Sequence, residues 1–143
     1  MRVWGMGSYW NDSEPKNKIE DFIKNQVASI GWTKENAPAL YNMVQEMEKG
    51  DIIYIKSYVM KKRELRIKAI GIITDKKLLN IENLNDQCFS VNWLKKPEDN
   101  LPVIKMEPRY LRYNVYSCTL YPEYNEEIAE KIREMAGFPK DYK

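Results

Sequence analysis

The chain has 143 residues, of which 43% are apolar and 31% charged, and its 23 basic and 21 acidic residues leave a net charge of +2. This length suits one hydrophobic core, and we expect a single domain over residues 1–143. The sequence contains no histidine, which excludes the usual general base near neutral pH, the commonest metal ligand and every Ser-His or Cys-His nucleophile. We therefore expect a binding domain rather than an enzyme, with no catalytic residue, cofactor or metal.

Hydropathy and cysteine content favour a cytoplasmic protein. No apolar run approaches the roughly 18 residues of a membrane-spanning helix, and the first residues lack the apolar stretch of a signal peptide. The two cysteines, Cys88 and Cys118, lie in apolar stretches. Two thiols cannot form the disulfide framework of a small secreted domain, so we interpret both as buried and reduced.

The first half of the chain predicts a short strand followed by two helices. The strand covers residues 1–5 and ends in a glycine-rich loop. A helix then starts at Asp12 or Ser13, with an apolar stripe of Ile19, Phe22 and Ile23. Residues 27–32 have the composition of a strand. A second helix begins near Pro38, and its apolar face consists of Leu40, Met43, Val44 and Met47.

From residue 51 onward the apolar residues follow the period of strands. Residues 52–59 and 65–74 predict an antiparallel hairpin with a basic tip. Further strands are predicted at residues 88–94, 102–104 and 115–120, and a last helix covers residues 125–135. Five to seven short strands with three helices predict an α+β fold, in which helices cover a compact barrel or a strongly bent sheet.

Aromatic residues at loops and strand ends are the strongest functional signal. Tyr9, Trp10 and Trp32 lie beside glycines or in turns, where side chains more often face a cleft than a core. A base stacked on a protein aromatic ring gains roughly 1–3 kcal/mol. Trp4 and Trp93 alternate with apolar strand residues, which suits a place in the core equally well.

Polar and basic residues near these rings suggest further contacts to a ligand. Ser8 and Asn11 offer the hydrogen bonds that read a base edge, whereas Asp12 suits recognition and helix capping equally. We assign phosphate contacts to Lys62, Arg109 and Arg112. A solvated hairpin tip explains Lys62 just as well. Because a net charge of +2 gives a weak overall field, nucleic-acid binding would depend on such a local patch.

Five short motifs follow one another in an order that is typical of one superfamily. They occupy residues 4–10, 27–32, 47–54, 67–73 and 89–94, and the first two end in Tyr9-Trp10 and Gly31-Trp32. In this order the chain resembles the EVE and YTH domains of the PUA-like superfamily, and most closely their relatives at the front of methyl-directed restriction systems of the McrB type.

The resemblance implies a PUA-like (EVE/YTH-like) bent β-barrel of five to seven strands with about three flanking helices. It also implies an aromatic pocket that accepts one base, often a methylated one, from a flipped-out or single-stranded nucleotide. In this resemblance Trp32 corresponds to the stacking aromatic, and Ser8 and Tyr9 to the polar and aromatic pair after the first strand. The base-binding residues are then Trp32, Tyr9, Trp10, Ser8, Asn11 and Trp93.

The resulting hypothesis is a nucleic-acid-binding module for DNA or RNA that carries a modified base. Any role in restriction would require a nuclease or motor protein as a partner. The alternative is a pocket for a free nucleotide or nucleoside, which the weak net charge favours. A third possibility is an enzyme that acts on RNA through lysine or tyrosine. The kind of modification, and whether the domain stands alone or is part of a longer chain, stay open.

Overall fold

One mixed β-sheet forms the centre of the computed structural model, which describes residues 1–10, 16–113 and 115–139. The described strands are β1 (Val3–Met6), β2 (Tyr9–Trp10), β3 (Lys16–Asn17), β4 (Val27–Ala28), β5 (Ile52–Val59), β6 (Glu64–Leu79), β7 (Cys88–Lys95), β8 (Ile104–Lys105) and β9 (Leu120–Pro122). The α-helices are α1 (Ile19–Asn25), α2 (Pro38–Glu46) and α3 (Glu126–Met135). The predicted α+β fold with three helices is therefore confirmed.

The sheet has the order β4-β7-β6-β5-β1-β9, and β8 adds to β6 beside this path. Only β1 and β5 pair in parallel; the other described pairs are antiparallel. The expected closed barrel is wrong for the described residues, because the edge strands β4 and β9 do not pair with each other. These strands have only two and three residues, which leaves little backbone for a closing ladder.

Both faces of the sheet are covered, and side chains alternate between two cores. Met6, Ile53 and Ile55 point toward α1 and α2, where they pack with Phe22 of α1 and Val44 of α2. On the other face, Val3, Ile52 and Tyr54 pack under α3, which contributes Ile128, Ala129 and Ile132. Because successive strand residues face opposite sides, this alternation determines which residues each helix can reach.

A buried carboxylate fixes the start of the central strands. Asp51 precedes β5 and accepts hydrogen bonds from the Trp4 indole N–H at 3.0 Å and from the backbone N–H groups of Arg2 and Glu48 at 3.0 and 2.9 Å. A charge can be buried at low cost only when several donors satisfy it. This interaction joins two strands that are distant in sequence.

Three predicted elements have different bounds in the structure. The first helix begins at Ile19, whereas the predicted caps Asp12 and Ser13 lie outside the described residues. The predicted strand at 27–32 is reduced to β4, and the one at 115–120 begins only at Leu120. A turn precedes Leu120, since the N–H of Cys118 donates to the carbonyl of Val115 at 2.9 Å.

None of the described helices combines the length and the apolar character that crossing a membrane requires.

We expect Gly5→Ala to destabilise the fold by roughly 1–3 kcal/mol, the usual cost of overpacking a core. A Cβ atom at Gly5 would lie 2.3 Å from Cζ of Tyr121, which is buried and cannot move away freely. Gly7→Ala is the matched control, because no atom of the described residues lies within 4 Å of its Cβ position. Urea unfolding of both variants tests this, and equal midpoints would contradict it.

Candidate ligand-binding cleft

A cleft of about 770 Å³ opens at the end of the sheet where β1 ends. The register pairs Met6 with Ile55 of β5 and with Leu120 of β9, so the residues beyond these positions meet at the same edge. Three neighbouring segments therefore line the cleft together, namely Gly7 and Ser8, Lys56 and Ser57, and residues 117–119. The ribbon of β2 and β3 and the loop after β4 contribute the aromatic part of the lining.

The aromatic wall contains two exposed rings. Tyr9 is 64% exposed and Trp32 is 47% exposed, and both line the cleft. An exposed tryptophan beside a concave site is unusual, because large aromatic residues are highly buried on average. Tyr9, Trp10 and Trp32 thus line one cleft, and their base-binding role stays a prediction.

Trp10 differs from these two rings, because it is packed as a fixed wall. It is 9% exposed, meets Phe22 edge-on with the ring centroids 6.1 Å apart, and has the Lys18 ammonium 5.4 Å from its ring centroid. Gly31 lies against the indole with a φ of +78°, and a Cβ atom there would lie 2.7 Å from Nε1. A side chain at position 31 would therefore displace Trp10, and this explains the glycine.

The polar residues of this wall include an amide and a hydroxyl that already contact each other. The Ser8 hydroxyl donates to Oδ1 of Asn17 at 2.7 Å, and the same oxygen accepts the backbone N–H of Ile19 at 3.0 Å. Ser8 thus lines the cleft, and through Asn17 it also orders the start of α1. Asn17 and Asn36, which sequence reasoning missed, place two further amide groups at the cleft.

Two lysines also line the cleft, and neither is among the predicted phosphate contacts. Lys56 donates from Nζ to the carbonyls of Tyr116 and Cys118, each at 2.8 Å. Burial lowers its pKa to about 8. The Lys68 side chain forms no hydrogen bond or ion pair with the described residues, and the described lining includes no aspartate or glutamate. Among the described residues, these two ammonium groups therefore line the cleft without an acidic partner.

Lys68 lies at a β-bulge beside the cleft. Ile55 pairs with Ala69, but the next residue of β5, Lys56, pairs with Ile67, so Lys68 is an extra residue in β6. Ile67 and Ala69 consequently belong to opposite cores, although residues two apart in a regular strand share one face. Bulges are common next to functional sites. The sequence shows no sign of this bulge, because apolar and polar residues alternate regularly from Leu65 to Ala69.

The structure does not bring four of the predicted residues to the cleft. Trp93 lies in the core, 6% exposed, because its indole N–H donates to the carbonyl of Phe22 at 3.2 Å. Lys62 lies at the hairpin tip and Arg112 in the segment Pro108–Tyr113, and neither contributes to the lining. Arg109 is paired with Glu107 and Glu127. Asn11 lies outside the described residues.

The two cysteines differ in environment, so the expectation that both are buried is wrong for Cys118. Cys88 is buried, and burial raises the pKa of its thiol. Cys118 is exposed and lines the cleft, because the turn before β9 replaces the predicted strand. Among the described residues, no group of three or more histidine, cysteine, aspartate or glutamate side chains is arranged to hold a metal ion.

Residues 4–121 match one protein family, described as a domain of unknown function (DUF8426). The match covers the sheet from β1 to β9 and every described residue of the cleft wall. No curated protein matches the chain.

We expect iodoacetamide to label Cys118 and not Cys88 in the folded protein, since alkylation requires an accessible thiolate. Mass spectrometry of the native protein should show a single adduct, which Cys88→Ser retains and Cys118→Ser loses. Urea should make the second thiol reactive. Labelling of both thiols at similar rates without urea would contradict the position of Cys88.

Proposed function

We propose that this chain, which belongs to the family of domains of unknown function DUF8426, is a nucleic-acid-binding module that accepts one modified or flipped-out base in the cleft. The observation that carries the proposal is the joint exposure of the Tyr9 and Trp32 rings in one cleft that also contains amide groups. We further propose that the fold is a PUA-like one of the EVE/YTH type. The order of the five sequence motifs supports this relationship.

The size and chemistry of the cleft suit a nucleotide. Ligand pockets usually measure roughly 300–1,000 Å³, and a cleft of about 770 Å³ lies within this range. The Asn36 amide offers donors and an acceptor, and Asn17, whose Oδ1 already accepts two hydrogen bonds, offers its N–H donors, so both kinds of group are present for the edge of a base. Aromatic faces also favour methyl groups and positively charged rings, so a methylated base is the ligand we propose.

The energy of base stacking limits how such a module binds. A stacked base gains roughly 1–3 kcal/mol per aromatic contact, whereas extrusion of a base from a duplex costs a few kcal/mol. Two exposed rings thus approximately offset the extrusion, and single-stranded or already distorted sites are favoured. The module reads the base and carries out no chemistry on it; a nuclease or motor partner would act on the bound site.

We expect Trp32→Ala and Tyr9→Ala each to weaken binding of a short oligonucleotide with a methylated base by about tenfold, the equivalent of roughly 1.4 kcal/mol of lost stacking. Fluorescence anisotropy of a labelled oligonucleotide is the suitable measurement, because it does not depend on the tryptophans. Tyr124→Ala is the matched control, since Tyr124 is also exposed, at 53%, but does not line the cleft. Unchanged affinity in both cleft variants would disprove the base-binding role.

A pocket for a free nucleotide or nucleoside is the second candidate. None of the basic residues Lys62, Arg109 and Arg112 lines the cleft. They therefore do not extend its positive charge along the path of a nucleic-acid backbone, and this favours a free nucleotide. Duplex binding that neutralises several phosphates weakens steeply with salt. The affinity of a ligand that makes one or two phosphate contacts should depend only weakly on salt concentration.

These two candidates predict different salt titrations. For the nucleic-acid module, a methylated oligonucleotide should bind more tightly than the corresponding mononucleotide, and this advantage should shrink between low and moderate salt as counterion release weakens. Isothermal titration calorimetry at two salt concentrations measures both affinities. Equal affinities with little effect of salt would instead assign the cleft to free nucleotides.

A further inference from the structure

We propose that Lys68, supported by Lys56, binds the phosphate group of the nucleotide whose base stacks on Tyr9 and Trp32. This inference rests on the proposed function and names the second half of the same site. The phosphate is either the terminal group of a free nucleotide or a bridging group in a strand. The residues earlier assigned to phosphate, Lys62, Arg109 and Arg112, do not line this cleft.

The charges at the cleft support an anionic ligand group. Lys56 and Lys68 are the cations of the described lining, and that lining includes no carboxylate that would neutralise them. Three described arginines pair with carboxylates, among them Arg109 with Glu127 at 2.9 Å and Arg133 with Glu126 at 2.9 Å. A lysine that lines a cleft without a protein carboxylate beside it can form a charge-assisted hydrogen bond with an anionic group of a ligand.

The two lysines have different tasks in this arrangement. An ammonium group has three N–H donors, and Lys56 uses two of them on the carbonyls of Tyr116 and Cys118, so its position is fixed. Its Nζ atom also lies 5.6 Å from the ring centroid of Tyr121. Lys68 keeps all three donors for a ligand. Lys56 therefore provides a fixed charge at the cleft, and Lys68 provides the direct contact.

Hydroxyl groups complete this wall. Ser57 follows Lys56 in β5, and Ser117 and Thr119 flank the exposed Cys118, all of them in the lining. Serine and threonine hydroxyls are common phosphate contacts in nucleic-acid complexes, together with lysine. The exposed Tyr9 and Trp32 rings line the same cleft, which is why we assign one ligand with a flat ring and an attached phosphate to both groups.

The test compares nucleosides with their monophosphates by isothermal titration calorimetry. The probes are the four common nucleosides and their methylated forms, the 5′- and 3′-monophosphates of each, and pyrophosphate. In the wild-type chain a monophosphate should bind about tenfold more tightly than its nucleoside, the usual value of a charge-assisted contact. Lys68→Gln should abolish this difference, whereas Lys68→Arg should keep it.

Lys62→Gln is the matched control, because it removes the same charge from the same hairpin outside the cleft. It should retain the tenfold difference. A difference that survives in Lys68→Gln, or that is lost equally in Lys62→Gln, would overturn the assignment of phosphate to Lys68.

The outcomes also separate this inference from the proposed function. In one outcome, Trp32→Ala weakens nucleoside binding while monophosphates bind no more tightly than nucleosides. That result would support the base pocket and overturn the phosphate site. Pyrophosphate binding that depends on Lys68, without any nucleoside binding, would retain the anion site and overturn the base pocket. Absence of binding by every probe would overturn both.

Discussion

The alternation of side chains along β5 and β6 is the constraint on which the rest of the structure depends. Helices cover both faces of the sheet, so each strand residue must suit one of two cores. A shift of one residue would exchange the two faces and bury polar side chains. Ile53 and Ile55 face α1 and α2, while Ile52 and Tyr54 face α3, and the Asp51 carboxylate fixes where this pattern begins.

The bulge at Lys68 is the one place in the β5–β6 pairing where this pattern changes, and the cleft lies beside it. The extra residue reverses the alternation of β6 between Ile67 and Ala69. In a regular register Lys68 would pair directly with Lys56 and place two like charges opposite each other. Beside the aromatic rings a different constraint acts, since the absence of a Cβ atom at Gly31 allows the Trp10 indole to pack against the backbone. Two local departures from regular structure thus lie at the cleft.

The sequence predicted what depends on local periodicity. The hairpin of β5 and β6, the strand β7, and the helices α2 and α3 lie close to their predicted positions, because each has an apolar pattern of several residues. Long-range pairing was not visible: β1 lies parallel to β5 because Asp51 joins them across more than forty residues. The turn before Leu120 was also missed, because the apolar composition of this segment favours a strand. In the structure the Lys56 ammonium binds the carbonyls of residues 116 and 118 and thereby holds the segment in a turn.

The same distinction explains why the sequence indicated the exposed aromatic residues of the cleft and did not indicate its lysines. Tyr9 and Trp32 are marked by adjacent glycines and turns, which are local features. Whether a lysine or arginine can contact a ligand depends instead on its neighbours in space. Arg109 looks available in the sequence, but Glu107 and Glu127 neutralise it. Lys68 looks like an ordinary strand residue, yet it faces a cleft whose described lining has no acidic group. A net charge of +2 therefore does not limit what the cleft attracts, because a ligand that enters it responds first to the unpaired charges within a few ångströms.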